Sequence, residues 1–112
     1  MDIESLRDYC LSLPKATEDV KWGHDLCFCL EKKMFCVVGM TVPHSTSFKV
    51  KDEEFDEMSS RPGLIPAPYM ARHKWVMAET LDALSDKEWK EFIKESYEMI
   101  KAKLPAKLRN NI

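Results

Sequence analysis

The stretch from Ser85 to Leu104 constrains the fold more than any other part of the chain. Ser85 and Glu88 stand at capping-box spacing, and Trp89, Phe92, Ile93, Tyr97, Ile100 and Leu104 recur at helical intervals. Pro105 closes the helix, and a short basic tail follows. A helix with one broad apolar stripe needs an apolar surface to lie on. The rest of the chain supplies it mainly as strands. Leu26-Cys27-Phe28-Cys29-Leu30 and Met34-Phe35-Cys36-Val37-Val38 read as a hairpin joined by Glu31-Lys32-Lys33. Strands are also predicted over 45–50 and 74–80, while Lys15 to Asp25 reads as strand or loop.

Two further helices complete the pattern. Asp2 is placed to cap a first helix with Ile3, Leu6, Cys10 and Leu13 on one face, stopped by Pro14. Asp52 is placed to cap a short acidic helix that Arg61-Pro62-Gly63 ends. The expected order is about α-β-β-β-α-β-β-α. That is too few helices to cover both faces of a sheet, so the reading is α+β in two layers, an antiparallel sheet backed by helices on one face. With 112 residues, one domain spanning 1–112 is expected.

Charge narrows the function. Seventeen basic against nineteen acidic side chains leave a net charge of −2, so a nucleic-acid role requires a local basic patch. The N-terminus lacks the apolar core of a signal peptide, and the longest apolar run, Cys36 to Met40, is too short to span a bilayer. A cytoplasmic location without membrane attachment is expected, with Cys10, Cys27, Cys29 and Cys36 reduced.

The most distinctive segment is Pro66-Ala67-Pro68-Tyr69-Met70-Ala71-Arg72-His73-Lys74-Trp75-Val76. With Leu11-Ser12-Leu13-Pro14, Lys33-Met34-Phe35, Phe48-Lys49 and Ser96-Tyr97 in the same order, it resembles the MmcQ/YjbR family of small bacterial proteins over nearly the whole chain. The resemblance implies a compact antiparallel sheet backed by helices, an architecture shared with secretion-chaperone-like and CyaY-like folds, and a DNA-binding role. At the first hairpin turn this chain has Lys32 where the family often has glycine.

The residues themselves offer several chemistries. Two prolines stiffen the 66–75 segment, and Arg72, His73 and Lys74 lie between Tyr69 and Trp75. One reading is a recognition surface, with cations for phosphate and aromatic faces for stacking. The other is a crossover loop that Tyr69 and Trp75 anchor to the sheet. Lys49 and Lys51, two apart, are expected on the open sheet face, with Phe48 and Val50 turned to the helices. His24, Cys27, Cys29 and Cys36 are zinc-ligand types at spacings unlike the familiar knuckles, so no metal is expected and the thiols read as small hydrophobes. A hairpin loop at Lys32-Lys33 would set Cys29 opposite Cys36. No histidine carries a partner at a telling spacing, and isolated glycines form no phosphate loop. The expectation is a non-enzymatic binding module without cofactor, its partner DNA, a protein segment or a small ligand, engaged through Lys49, Lys51, Arg72, His73 and Lys74 with Tyr69 and Trp75.

Overall fold

The computed structural model describes all of residues 1–112. In chain order it contains α1 (Ile3–Ser12), β1 (Thr17–Lys21), β2 (Asp25–Leu30), β3 (Lys33–Gly39) and β4 (Thr46–Lys49). Then come α2 (Phe55–Ser59), β5 (Leu64–Pro66), β6 (Trp75–Ala78), α3 (Asp86–Ala102) and α4 (Ala106–Arg109). The six strands form one antiparallel sheet in the order β1-β2-β3-β4-β6-β5. The expected α+β order holds, with β1 as a further strand and α4 as a further turn of helix.

Local rules explain the helices. Asp2 accepts the Ser5 N–H at 2.8 Å, and Ser85 with Glu88 closes a complete capping box. Asp52 departs from its expected capping role. It lies inside a 3-10 turn, Asp52–Glu54, whose preceding residue Lys51 makes no side-chain cap.

Helices cover one face of the sheet. Twenty buried residues form the core there, with Leu6 and Cys10 of α1, Met58 of α2, and Trp89, Ile93 and Tyr97 of α3 meeting Phe28, Cys36, Val38, Phe48 and Val76. Phe48 packs edge-on to Trp89 and stacks with Phe92.

The β2–β3 hairpin positions everything that follows. Its loop is Glu31-Lys32, both with positive φ (49° and 68°), so it is a primed two-residue turn of the kind that matches strand twist. Lys32 thus adopts the backbone that glycine takes most readily. This loop is one residue earlier than Lys32-Lys33, so Cys29 lies opposite Met34 rather than Cys36, and a one-residue slip of register at Phe28/Cys29 then pairs Phe28 with Cys36. The extra residue of this bulge is Phe35, fully buried and edge-on to Tyr97. Cys36 therefore lies in the core beside Cys10, while Cys27 and Cys29 lie on the other side of the sheet. The four thiols face opposite sides of the sheet and do not converge with His24.

Candidate functional site

Alternation along the strands leaves one sheet face without helices. Cys27 and Asp25 of β2, Met34, Val37 and Gly39 of β3, Ser47 and Lys49 of β4, and Met77 and Trp75 of β6 share it. Two hollows adjoin here, and Met34 and Met70 line both. The larger, about 700 Å³, is walled by Trp22, Met34, Val37, Tyr69, Met70 and Met77, with His24, Asp25 and Ser47 among its polar groups. The smaller, about 370 Å³, lies where β3 begins and β4 ends, and Ile100 and Lys103 at the end of α3 close it. Lys21, Lys32, Lys33, Lys49 and Lys103 line it together with His73.

The apolar hollow is rimmed by two displayed aromatics. Trp22 is 65% exposed and Tyr69 fully exposed. Both hold positive φ (56° and 65°), a conformation that is rare for bulky residues and disfavours them by roughly 1–3 kcal/mol. Each is held there by its turn. The Lys21 carbonyl accepts the His24 N–H around Trp22-Gly23, and the Ala67 carbonyl accepts the Met70 N–H around Pro68-Tyr69. The three methionines at the floor can re-pack around differently shaped apolar groups.

The basic hollow is built around Lys49. This residue is 8% exposed and stands opposite Trp75 on β6, and its ammonium donates to the His73 carbonyl. The Ser96 hydroxyl fixes its backbone, accepting the Lys49 N–H at 3.0 Å and donating to the Phe35 carbonyl at 2.6 Å. Ser96 thus bridges β3 and β4 beyond their last paired residues, Cys36 and Phe48. Burial lowers the Lys49 pKa first, and the neighbouring Lys103 cation adds to this, while Asp52 opposes it. No carboxylate forms an ion pair with Lys21, Lys32, Lys33, Lys49 or Lys103.

The seven site residues expected from sequence separate. Lys49, His73 and Trp75 meet at the basic hollow, and Tyr69 stands at the rim of the apolar one. Lys51 departs from the open face. It lies past the end of β4 and turns to the helical layer, its ammonium 3.5 Å from Glu95 of α3 and 3.8 Å from Glu54. Lys74 takes a left-handed backbone and sets its ammonium 5.0 Å over the Phe55 ring of α2, outside both hollows. Arg72 is exposed and makes no ion pair or side-chain hydrogen bond. Only one aromatic anchors the loop: Trp75 is 4% exposed, whereas Tyr69 stands in solvent.

The motifs that carry the family resemblance converge on this end of the sheet. Ser96 joins Phe35 to Lys49, the Tyr97 hydroxyl donates to the Pro14 carbonyl at 2.6 Å, and His73 receives Lys49. The YjbR family model matches residues 11–99. The chain belongs to the YjbR family.

Among solved structures, this YjbR protein is similar to a Deinococcus radiodurans protein of domain family DUF419. The two share 20% identity at a TM-score of 0.87, over 97% of this chain and 86% of the other. It is also similar to a Pseudomonas syringae protein at 20% identity and a TM-score of 0.74, over 88% of this chain and 98% of that one. At such identities the likeness concerns the fold alone. No curated protein matches the sequence. No helix is long and apolar enough to cross a membrane.

Lys21, Lys32, Lys33 and Lys103 were not among the expected site residues. A hairpin turn and a helix end both favour solvated lysines, so nothing in their spacing distinguishes them. The doubled lysine at the hairpin turn pointed towards Lys32 and Lys33, and the acid-free run of basic residues from Lys101 to Arg109 towards Lys103, but nothing pointed towards Lys21.

Proposed function

We propose that this YjbR protein is a non-enzymatic binding module that holds a ligand with an apolar body and an anionic end on the open face of its sheet. The observation that carries this reading is the pair of adjoining hollows, one apolar and aromatic-rimmed, the other lined by lysines. Ligand sites are commonly concave and mostly apolar, with a few polar groups that fix orientation. The thiols on this face support binding over covalent chemistry. Burial is the main cause raising Cys27 to about 11 and also raising Cys29, so both are protonated and weakly nucleophilic near neutrality.

A test is to titrate the protein with 8-anilinonaphthalene-1-sulfonate while following methionine methyl resonances. The reading expects saturable shifts at Met34, Met70 and Met77, reduced by Trp22→Ser and Tyr69→Ser. Shifts confined to other methionines, or none, would overturn it.

Duplex DNA is the rival partner, and the set of lysines without ion pairs favours it. Against it, Lys51 and Lys74 are engaged with the helical layer, and the net charge is −2. Duplex binding would appear as an affinity falling steeply with salt, and methionine methyls unmoved at the apolar hollow.

A further inference from the structure

We infer that the lysine-lined hollow is a phosphate site, and that its ligand is a small organic phosphate whose apolar or aromatic body lies in the adjoining hollow. This deepens the reading above and rests on it for the placement of the ligand body.

The argument begins with Lys49. The part-buried Lys49 ammonium has three N–H donors, and one reaches the His73 carbonyl. The others have no protein acceptor in hydrogen-bond range, although the residue is 8% exposed. Four further lysines line the same space, and none forms an ion pair with a carboxylate, although Asp52 favours the Lys49 charge and Asp25 stands opposite Lys21 on β2. Lys103 lies close enough to Lys49 for its charge to disfavour the Lys49 ammonium, and Lys21, Lys32 and Lys33 line the same hollow. An anion carrying more than one charge relieves that repulsion better than a single carboxylate. Lysine ammoniums bind phosphate as point charges, a mode that needs no arginine fork. The site contains no arginine.

Strand geometry sets the size of the ligand. Ser47 borders the apolar hollow and Lys49 the basic one, two residues along β4, or about 6.7 Å apart. A phosphate joined to a ring system through a short linker spans such a distance. Trp22 and Tyr69 offer that ring exposed aromatic faces.

The test is calorimetric titration at constant ionic strength with inorganic phosphate, pyrophosphate, adenosine and adenosine 5′-monophosphate as probes. Pyrophosphate is expected to bind, and Lys49→Met to weaken it about tenfold or more, a loss of about 1.4 kcal/mol. Because Lys49 is buried, the exposed pair Lys33→Ser and Lys103→Ser is the second variant, expected to act in the same direction without disturbing the fold. Lys51→Ser, facing the helices, should leave affinity within about twofold. Adenosine monophosphate should bind more tightly than inorganic phosphate, and Tyr69→Ser should abolish that advantage.

Absence of pyrophosphate binding below about 10 mM overturns the phosphate site. So does equal weakening by Lys51→Ser and by the Lys33/Lys103 pair. Nucleotide affinity no greater than that of free phosphate overturns the bridging ligand. If the phosphates fail while anilinonaphthalene sulfonate still shifts the methionines, the site for an apolar anion stands and the phosphate assignment falls. If the sulfonate fails as well, both readings fall.

Discussion

The two faces of the sheet solve the same problem in opposite ways. Under the helices, polar groups are matched inside the protein. Ser96 serves two backbone groups at once, the Trp89 indole donates to the Leu81 carbonyl at 2.7 Å, and no buried side-chain nitrogen or oxygen is left without a partner. On the open face, where no buried polar atom is unpaired either, polar groups are left to solvent. Lys49 keeps spare donors, five lysines lack carboxylates, and Trp22 and Tyr69 hold strained backbones to display their rings. If that division is real, substitutions on the two faces should separate stability from binding.

The largest effect is expected on the covered face. Trp89 is fully buried against Phe48, so Trp89→Ala should lower unfolding free energy by about 3–5 kcal/mol, read from urea denaturation. Ser96→Ala comes next. It leaves the Phe35 carbonyl and the Lys49 N–H without a partner in the interior, and about 2 kcal/mol should be lost. Ser96→Ala also tests the joint between the faces, because the same hydroxyl places Lys49. A loss of stability with pyrophosphate affinity unchanged would show that Lys49 is positioned independently of the core.

The covered face was largely legible in the sequence, and the open face was not. Periodicity and capping placed α1 and α3, because an amphipathic stripe is a local signal. The paired apolar runs at 26–30 and 34–38 placed the hairpin for the same reason. The bulge that turns Phe35 inward could not be read, since an apolar residue is acceptable on either side of such a strand. The partner of Cys29 changed for another reason: the loop is Glu31-Lys32, one residue earlier than Lys32-Lys33. The site was harder still. Lys51 looked like a partner of Lys49 by strand alternation, but β4 ends at Lys49 and the chain then turns towards Glu95. Lys21, Lys33 and Lys103 become neighbours only through long-range packing, which charge spacing along the chain does not encode.

An intermediate effect is expected at alkaline pH. Cys27 belongs to the open face, but it is buried, and burial is the main cause holding its thiol up to about 11 against an ordinary 9.0, with Cys29 adding and Lys21 opposing. The unfolded chain loses this proton near pH 9 while the native protein retains it to about 11. Above pH 9 the unfolded state therefore binds fewer protons, and stability falls as pH rises through that window. Cys27→Ser should flatten the decline, seen as a smaller drop in the urea midpoint between roughly pH 8 and pH 10.5. An unchanged slope would place the thiol in contact with water and the open face as wetter than described.

The smallest effect on stability, and the sharpest on the comparison, belongs to Tyr69. Its ring is fully exposed, and its backbone lies in the left-handed region at a φ of 65°. Tyr69→Gly removes no buried contact and relieves the disfavoured conformation, while glycine adds freedom to the unfolded chain. The two effects oppose, so stability should change by no more than about 0.5 kcal/mol in urea denaturation. Binding of anilinonaphthalene sulfonate should nevertheless weaken severalfold, because one aromatic wall of the apolar hollow is gone. A loss of stability comparable to that of Ser96→Ala would make Tyr69 a structural anchor like Trp75, and the display of its ring would need no ligand to explain it. Weakened binding at constant stability would mean that the strained turn serves the open face alone.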